Sequence, residues 1–240
     1  MIESALLARI SCVRFGFGTR QDEDLHSHHV VGSPDDDGLH GMRRMAQLLG
    51  VHPNRLAMPR QRHTAAAGIV DRAGWYDQVD ALVTATPELW LRVSVADCVP
   101  LFLADPDRQV VAAVHAGWKG SSEGIASTTV KLMQSAFDTD PARVLAFLGP
   151  SAGPCCYEVK SDVASRFSRE VIEERSGKIF LDLRRENVLQ LSEAGLGPEN
   201  IEIERRCTIC SPGLLHSFRR DGVKAGRMLG FISLRGEREA

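Results

Sequence analysis

The sequence predicts a compact α/β fold over residues 1–240, and three observations carry that expectation. Short apolar runs at 89–95, 101–104 and 110–114 have the length and β-branched content of neighbouring buried strands. Residues Ser121 to Phe137 follow a Gly-rich turn and place Ile125, Thr129, Leu132, Met133 and Phe137 on one face at helical spacing. No internal repeat or low-complexity linker divides the chain, so one unit accounts for all of it.

The remaining elements follow from local chemistry. Residues 5–20 read as a strand ending at Gly16-Phe17-Gly18-Thr19-Arg20. Residues 21–38 are a polar loop carrying His26, His28 and His29. Leu39 to Leu49 is a short helix closed by Gly50. Strands are expected at Leu56–Met58, Val79–Thr84, Val144–Leu148 and Ile201–Glu204. An amphipathic helix is expected over 160–175, an extended stretch at Phe180–Leu183 and a second helix over Asn187–Ala194, stopped by Gly195. Residues 216–222 form a turn before a last strand at 226–234.

Composition narrows the function. The chain is 43% hydrophobic and 25% charged, enough apolar material for a substantial core. Its formal net charge is −2, so no global basic field points to a nucleic acid or an anionic membrane, and a small-molecule substrate fits better. There is no apolar run of about 18 residues, the length of a membrane span. The segment Met1 to Cys12 is short and carries Glu3, unlike a secretory signal. Six cysteines in 240 residues do not make a disulfide scaffold, and a cytoplasmic location is expected.

The chemistry concentrates in Ala96-Asp97-Cys98-Val99-Pro100 and Val114-His115-Ala116-Gly117-Trp118-Lys119-Gly120. A Cys and a His each stand where an apolar run meets Gly- or Pro-rich chain, so neighbouring strand ends would bring thiolate and imidazole together. Beside the plain structural alternative, a buried Cys with two hydrogen-bonded histidines, two functional readings stay open. His63, Cys98 and His115 are three ligands for a catalytic zinc with one open position. Alternatively, Cys98 and His115 form a nucleophile pair in a metal-free hydrolase or deamidase, with Asp97 or Asp80 nearby. The two exclude each other, because a zinc-bound thiolate is a poor free nucleophile.

Other motifs are weaker. Cys207-Thr208-Ile209-Cys210 has Cys-x-x-Cys spacing without a second such pair, so a packing role is expected, as for Cys155-Cys156. The Gly149-Pro-Ser-Ala-Gly-Pro turn leaves a strand as anion-cradling loops do. Arg62, Lys119, Arg219 and Arg220 are the candidate phosphate cations.

Taken together, these segments resemble the YfiH-type laccase-domain family, once called multicopper polyphenol oxidases and later described as purine nucleoside phosphorylases. The resemblance rests on Gly18-Thr19-Arg20, Gln61-Arg62-His63, Asp80-Ala81-Leu82-Val83-Thr84, the Ala96–Pro100 and His115–Gly120 motifs, Leu148–Ser151 and Cys155–Val159. It continues through Asp182-Leu183, Cys207-Thr208, Ser217–Asp221 and Gly226-Arg227-Met228, in family order. It implies zinc held by His63, Cys98 and His115, and a four-layer αββα sandwich with mixed sheets, related to cysteine-hydrolase-like toxin domains. It also implies phosphorolysis of adenosine, inosine or methylthioadenosine to the sugar 1-phosphate and free base, with adenosine deamination as a side activity. Lys119, Arg62, Arg219 and Arg220 then hold phosphate, and Asp97 orients a ligand or substrate group.

The chain departs from the family pattern in places. Residues 21–38 lack the usual Gly-Gly-Val-Ser and Ser-Leu-Asn-Leu stretches, and the usual Gln-Val-His-Gly reads Gln61-Arg62-His63-Thr64. Lys119 replaces the usual Arg, keeping charge and losing the bidentate fork. A zinc-stabilised nucleoside-binding protein without turnover is the non-enzymatic alternative. A multicopper centre needs many histidines, and this chain has 8, three of them in the polar loop, so any copper would be an adventitious substitute for zinc.

Overall fold

The longest apolar runs become the middle of a sheet covered on both faces. The computed structural model describes residues 1–22 and 51–236. The polar tract beyond Asp22, the expected helix Leu39–Leu49 and His26, His28 and His29 lie outside the described residues. The first strands are β1 (Val13–Phe17), β2 (Leu56–Pro59), β3 (Ala67–Ile69), β4 (Gly74–Tyr76), β5 (Ala81–Thr84) and β6 (Trp90–Val95). Then come β7 (Val99–Asp105), β8 (Val110–Ala116), and two helices, α1 (Trp118–Ser122) and α2 (Ile125–Phe137). They are followed by β9 (Leu145–Leu148), β10 (Glu158–Val159), α3 (Ser161–Ala164), β11 (Ile172–Arg175) and β12 (Lys178–Leu181). The chain closes with α4 (Leu183–Glu193), β13 (Ile201–Ile203), α5 (Phe218–Asp221) and β14 (Met228–Leu234).

These strands form a six-stranded sheet, β13-β9-β7-β8-β5-β3, a five-stranded sheet, β1-β14-β6-β2-β4, and a small sheet, β10-β12-β11. The two larger sheets are mixed: β7–β8 and β6–β14 pair antiparallel, whereas β3–β5, β9–β13 and β2–β6 pair parallel. Every residue of β7 and β8 is buried, and alternate side chains serve different layers. Val99, Leu101 and Leu103 join a core with Ile125, Val130 and Met133 of α2 and Leu183 and Leu191 of α4. Phe102 and Ala104 face the other sheet, meeting Leu91, Val93 and Ile232. Phe15 locks that interface edge-on, 4.9 Å from Phe102 and 5.1 Å from Phe147 between ring centroids. The described residues thus supply a helical layer and two facing sheets. The outer side of the five-stranded sheet carries a further buried apolar set, including Trp90 and Phe231. No helix among the described residues is long and apolar enough to cross a membrane.

Several sequence expectations change. The strand expected over 5–20 shrinks to β1, because Ser4 Oγ accepts the Leu7 N–H and opens a single helical turn at Leu7–Arg9. The helix over 121–137 is two helices: the Glu123 N–H closes onto Lys119 and Gly120, and α2 restarts at Ile125. The helix over 160–175 is reduced to α3, and its second half becomes β11, paired antiparallel with β12 across Ser176-Gly177. Both turn residues have positive φ, 50° and 72°, the geometry of the tightest hairpins. Helix α4 starts earlier than Asn187, because Asp182 caps the Arg184 and Arg185 N–H groups. Residues 218–221 form a helical turn capped by Ser217.

Candidate metal centre and active-site cavity

Strand register builds the site. In the β7–β8 pair, Pro100 faces His115, so Cys98, one step ahead of β7, lies beside the end of β8. In the β5–β8 pair, Ala81 faces Val114, which puts Asp80 next to His115. The His115 N–H donates to the Asp80 carbonyl at 2.8 Å. His63 arrives on the loop between β2 and β3.

Asp80 is the hub of that loop. It is fully buried, and its carboxylate accepts the backbone N–H groups of Arg62, His63 and Thr64 at 2.8–3.1 Å. It also accepts the Thr64 hydroxyl at 2.9 Å and His115 Nδ1 at 2.7 Å. One side chain therefore sets the backbone of one histidine and the ring of another. His63 pays for this with a left-handed φ of 63°, a strained conformation that surrounding contacts must impose.

The ligand atoms of His63, Cys98 and His115 lie within 4.8 Å of one another. Cys98 Sγ stands 3.8 Å from His63 Nε2, and the two imidazoles meet edge to face at 4.7 Å. Because His115 Nδ1 is bound to Asp80, Nε2 is the nitrogen left for Cys98 or a metal, the arrangement of a carboxylate-oriented metal histidine. Burial opposes charge at all three partners, yet the ionic forms prevail. Desolvation raises the Cys98 thiol, but His115 and His63 bring it down to about 6. Desolvation lowers His115, but the Cys98 and Asp80 charges lift it to about 9. Asp80 is pushed up by burial and pulled down to about 2 by His115 and the backbone donors.

Gly117 leaves the space these side chains use. A Cβ there would stand 2.6 Å from His63 Cδ2 and 3.1 Å from Cys98 Sγ. Gly117→Ala should displace the exposed His63 ring and weaken metal binding about tenfold or more. The fold should lose no more than about 1–3 kcal/mol. Chelator competition read beside a thermal melt separates the two effects.

The triad opens into a cavity of about 500 Å³, also lined by Arg62, Asp97, Tyr157, Phe218, Arg219 and Arg227. Of the candidate phosphate cations, Arg62 and Arg219 line it. Lys119 does not; it is exposed on α1 with Nζ 5.6 Å from the Trp118 ring. Nor does Arg220, which is spent on the carbonyls of Thr208, Ile209 and Leu215 and on Asp221. Asp97 lines the cavity, but its carboxylate already accepts the Thr208 hydroxyl at 2.5 Å and the Arg219 N–H at 2.6 Å. Its φ of 93° is held by those bonds and by its carbonyl, which accepts the Ala152 N–H at 2.9 Å. The geometry makes it a positioning residue.

Arg227 and the aromatic pair Tyr157 and Phe218 carried no assigned role in the sequence. Arg227 Nη1 donates to the Ala225 and Gly226 carbonyls at 2.9 and 3.1 Å. Burial lowers its basicity, against the charges of Cys98 and Asp97. Tyr157 is buried, which pushes its hydroxyl up to about 12. Packing was expected of the paired cysteines; the structure gathers them into one cluster. The sulfurs of Cys155, Cys156, Cys207 and Cys210 converge within 4.8 Å of one another, with Cys155 and Cys210 exposed.

With this geometry in place, similarity to known proteins can be placed on it. Residues 22–235 match the family described as multi-copper polyphenol oxidoreductase laccase. The chain belongs to this family. It is 34% identical over 225 residues to purine nucleoside phosphorylase YlmD of Geobacillus stearothermophilus, covering 86% of this chain and 82% of that one. It is 39% identical over 181 residues to a purine nucleoside phosphorylase of Aquifex aeolicus, covering 75% and 84%. The crystal structure of YlmD from Geobacillus stearothermophilus superposes with a TM-score of 0.87 at 30% identity, over 97% of this chain and 94% of that one. The "multi-copper" description of this laccase family finds no counterpart among the described residues. Their metal-capable groups are the His63, Cys98, His115 triad and the four-cysteine cluster, with no histidine-rich cluster beside them.

Proposed function

We propose that this chain is a zinc-dependent purine nucleoside phosphorylase, which uses phosphate to convert adenosine, inosine or methylthioadenosine into free base and sugar 1-phosphate. The observation that carries the reading is that a His-Cys-His donor set and three guanidinium groups line one cavity. The names of the Geobacillus and Aquifex relatives support it.

The donor set fits a catalytic zinc: two imidazoles, one thiolate and, among the described residues, no fourth protein ligand grouped with them. When bound, zinc supplies a Lewis acid at the floor of the cavity. The chain's own residues do the rest. The guanidinium of Arg62 has no protein partner among the described residues, leaving its whole fork for phosphate. Arg219 is fixed by a 2.7 Å bond from Nη1 to the Glu158 carbonyl and lies 5.1 Å from the Tyr157 ring centre. Arg227 is fixed by its own turn. Two of the three cations are thus held in place before phosphate arrives. Phe218, half exposed on the rim, offers an apolar ring face to a planar base. A volume of about 500 Å³ suits a nucleoside with phosphate beside it.

The test is product analysis on the zinc-loaded protein with inosine and with adenosine, each with and without phosphate. Phosphate-dependent release of hypoxanthine and adenine is expected. Base released equally well without phosphate, or no release at all, overturns the reading; inosine formed from adenosine without phosphate adds the deaminase activity. Arg62→Ala should raise the KM for phosphate about 10–100-fold, the worth of one charge-assisted pair of about 1.5–3 kcal/mol, with little change in the nucleoside KM.

One observation favours a second reading, a metal-free cysteine hydrolase. His115 stands between Cys98 and Asp80 in the order of a nucleophile, base and orienting acid. His63 argues against it, since a nucleophile needs one base and this thiolate has two imidazoles on it.

A further inference from the structure

We propose that Cys155, Cys156, Cys207 and Cys210 form a second, structural zinc site, separate from the His63, Cys98, His115 centre. It is independent of the phosphorylase reading. The four sulfurs come from two turns far apart in sequence. Cys155 and Cys156 lie on the turn after β9, and Cys207 and Cys210 lie between β13 and α5. A parallel bridge between Ser151 and Cys207, with the Thr208 N–H donating to the Ser151 carbonyl at 3.0 Å, fastens one turn to the other.

The four sulfurs are close enough together to share one ion. Zinc–sulfur bonds of about 2.3 Å require S···S edges of about 3.8 Å. Cys155–Cys210 measures 3.6 Å, Cys156–Cys210 3.0 Å, and all four sulfurs fall within 4.8 Å of one another. Adjustments of about an ångström would place every sulfur on one ion. Four protein sulfurs fill a tetrahedral shell and leave no open position, so the site is structural, and a tetrahedral all-sulfur set selects zinc or iron among the common metals.

The buried Cys207 sulfur is met by a backbone donor. The Gly153 N–H donates to Cys207 Sγ at 3.3 Å. Four thiolates on one zinc leave a formal double negative charge, and the Arg184 guanidinium stands by. Arg184, buried, donates from Nη1 to the Glu204 carbonyl at 2.9 Å. Its Nη2 lies 2.7 Å from where a Gly153 Cβ would be, and Cys155 Sγ lies 3.4 Å from that same point. Arg220 Nη1 donates to the Thr208 and Ile209 carbonyls at 2.7 and 3.2 Å, inside the Cys207–Cys210 turn. Arg220 thereby acquires a role as a brace of this turn. A disulfide explains the cluster less well: Cys210 touches two partners and can bond only one.

Zinc binding here releases the thiol protons to solvent as the Zn–S bonds form, with no change of oxidation state. It also ties down the cavity wall. The same two turns carry Tyr157 and Thr208, whose hydroxyl holds the Asp97 carboxylate.

The experiment is elemental analysis of the full chain, purified with reductant and without chelator. About two zinc ions per chain are expected, falling to about one in Cys98→Ser and to none when Cys207→Ser is added. The Cys98→Ser protein, stripped and reloaded with cobalt(II), should show the intense visible bands and sulfur charge-transfer absorption of a tetrahedral thiolate site. That readout needs no variant in the cluster, and the exposed Cys155→Ser, checked by circular dichroism, should abolish it. One metal per chain, lost wholly in Cys98→Ser, overturns the proposal. So do cysteines found as disulfides by mass in the isolated protein, or iron retained in place of zinc.

Discussion

Cys98→Ser should abolish nucleoside turnover while leaving the fold standing. A serine hydroxyl is neutral at any working pH and is a hard, weak donor, so the triad loses its only anionic ligand. Metal affinity should fall by about two orders of magnitude or more, beyond the 10–100-fold cost of losing a supporting partner. Turnover should follow the metal-loaded fraction and should not recover with added phosphate. The structural cost should be about 1 kcal/mol, because Cys98 is only half buried and its backbone has no special conformation. Alkylation separates the two chemistries of this thiol. A zinc-held thiolate resists iodoacetamide until a chelator is added, whereas a free Cys-His nucleophile is alkylated at once. Rapid alkylation of the zinc-replete protein, with turnover surviving metal removal, would transfer the activity to the cysteine hydrolase reading.

How much of this site the sequence revealed depends on the range of the contacts involved. Cys98 and His115 were legible because each ends an apolar run, and the antiparallel pairing of β7 with β8 is the commonest way for neighbouring runs to meet. His63 was legible as a ligand type beside a predicted strand end. Asp80 was weighed as the acid beside Cys98 and His115, but its hold on the His63 loop was not legible, since four hydrogen bonds to residues 16, 17 and 18 positions away leave no periodic trace. The four-cysteine cluster escaped for a similar reason. Cys155-Cys156 was a second pair all along, but with adjacent spacing, and only the long-range Ser151–Cys207 bridge carries it to Cys207-x-x-Cys210. Arg220 looked like a phosphate ligand and is instead bound to three carbonyls, a distinction that charge patterning cannot make. The β11–β12 hairpin is different, because its signal was present. Ile172-Glu-Glu-Arg and Lys178-Ile-Phe-Leu flank Ser176-Gly177, and the turn dipeptide outweighs the helical amphipathicity of 160–175.

Asp80→Ala should be the most damaging single change in the chain, and it should damage the metal-free protein as well as the loaded one. The substitution removes a fully buried carboxylate and strands three backbone N–H groups, the Thr64 hydroxyl and His115 Nδ1. Breaking a buried charged network from one side costs about 3–5 kcal/mol, a large share of the stability of an ordinary domain. His63 should suffer twice, because that carboxylate's bonds hold its left-handed backbone, and relaxing it swings the ring off the site. His115 loses the partner that keeps its proton on Nδ1, so Nε2 is no longer the assured donor. Asp80→Asn preserves the volume but turns an amide donor toward N–H groups, and should recover only part of the loss. Denaturant unfolding of stripped and zinc-loaded protein, with the zinc affinity measured separately, tests the argument. If Asp80 acts only by tuning His115, the stripped variant should be as stable as the stripped parent, within about 1 kcal/mol, and only zinc affinity should fall. If it is the hub described above, the stripped variant is destabilised by the full amount, and zinc binding, now obliged to reorganise the His63 loop, weakens by more than the 10–100-fold expected of an orienting carboxylate alone.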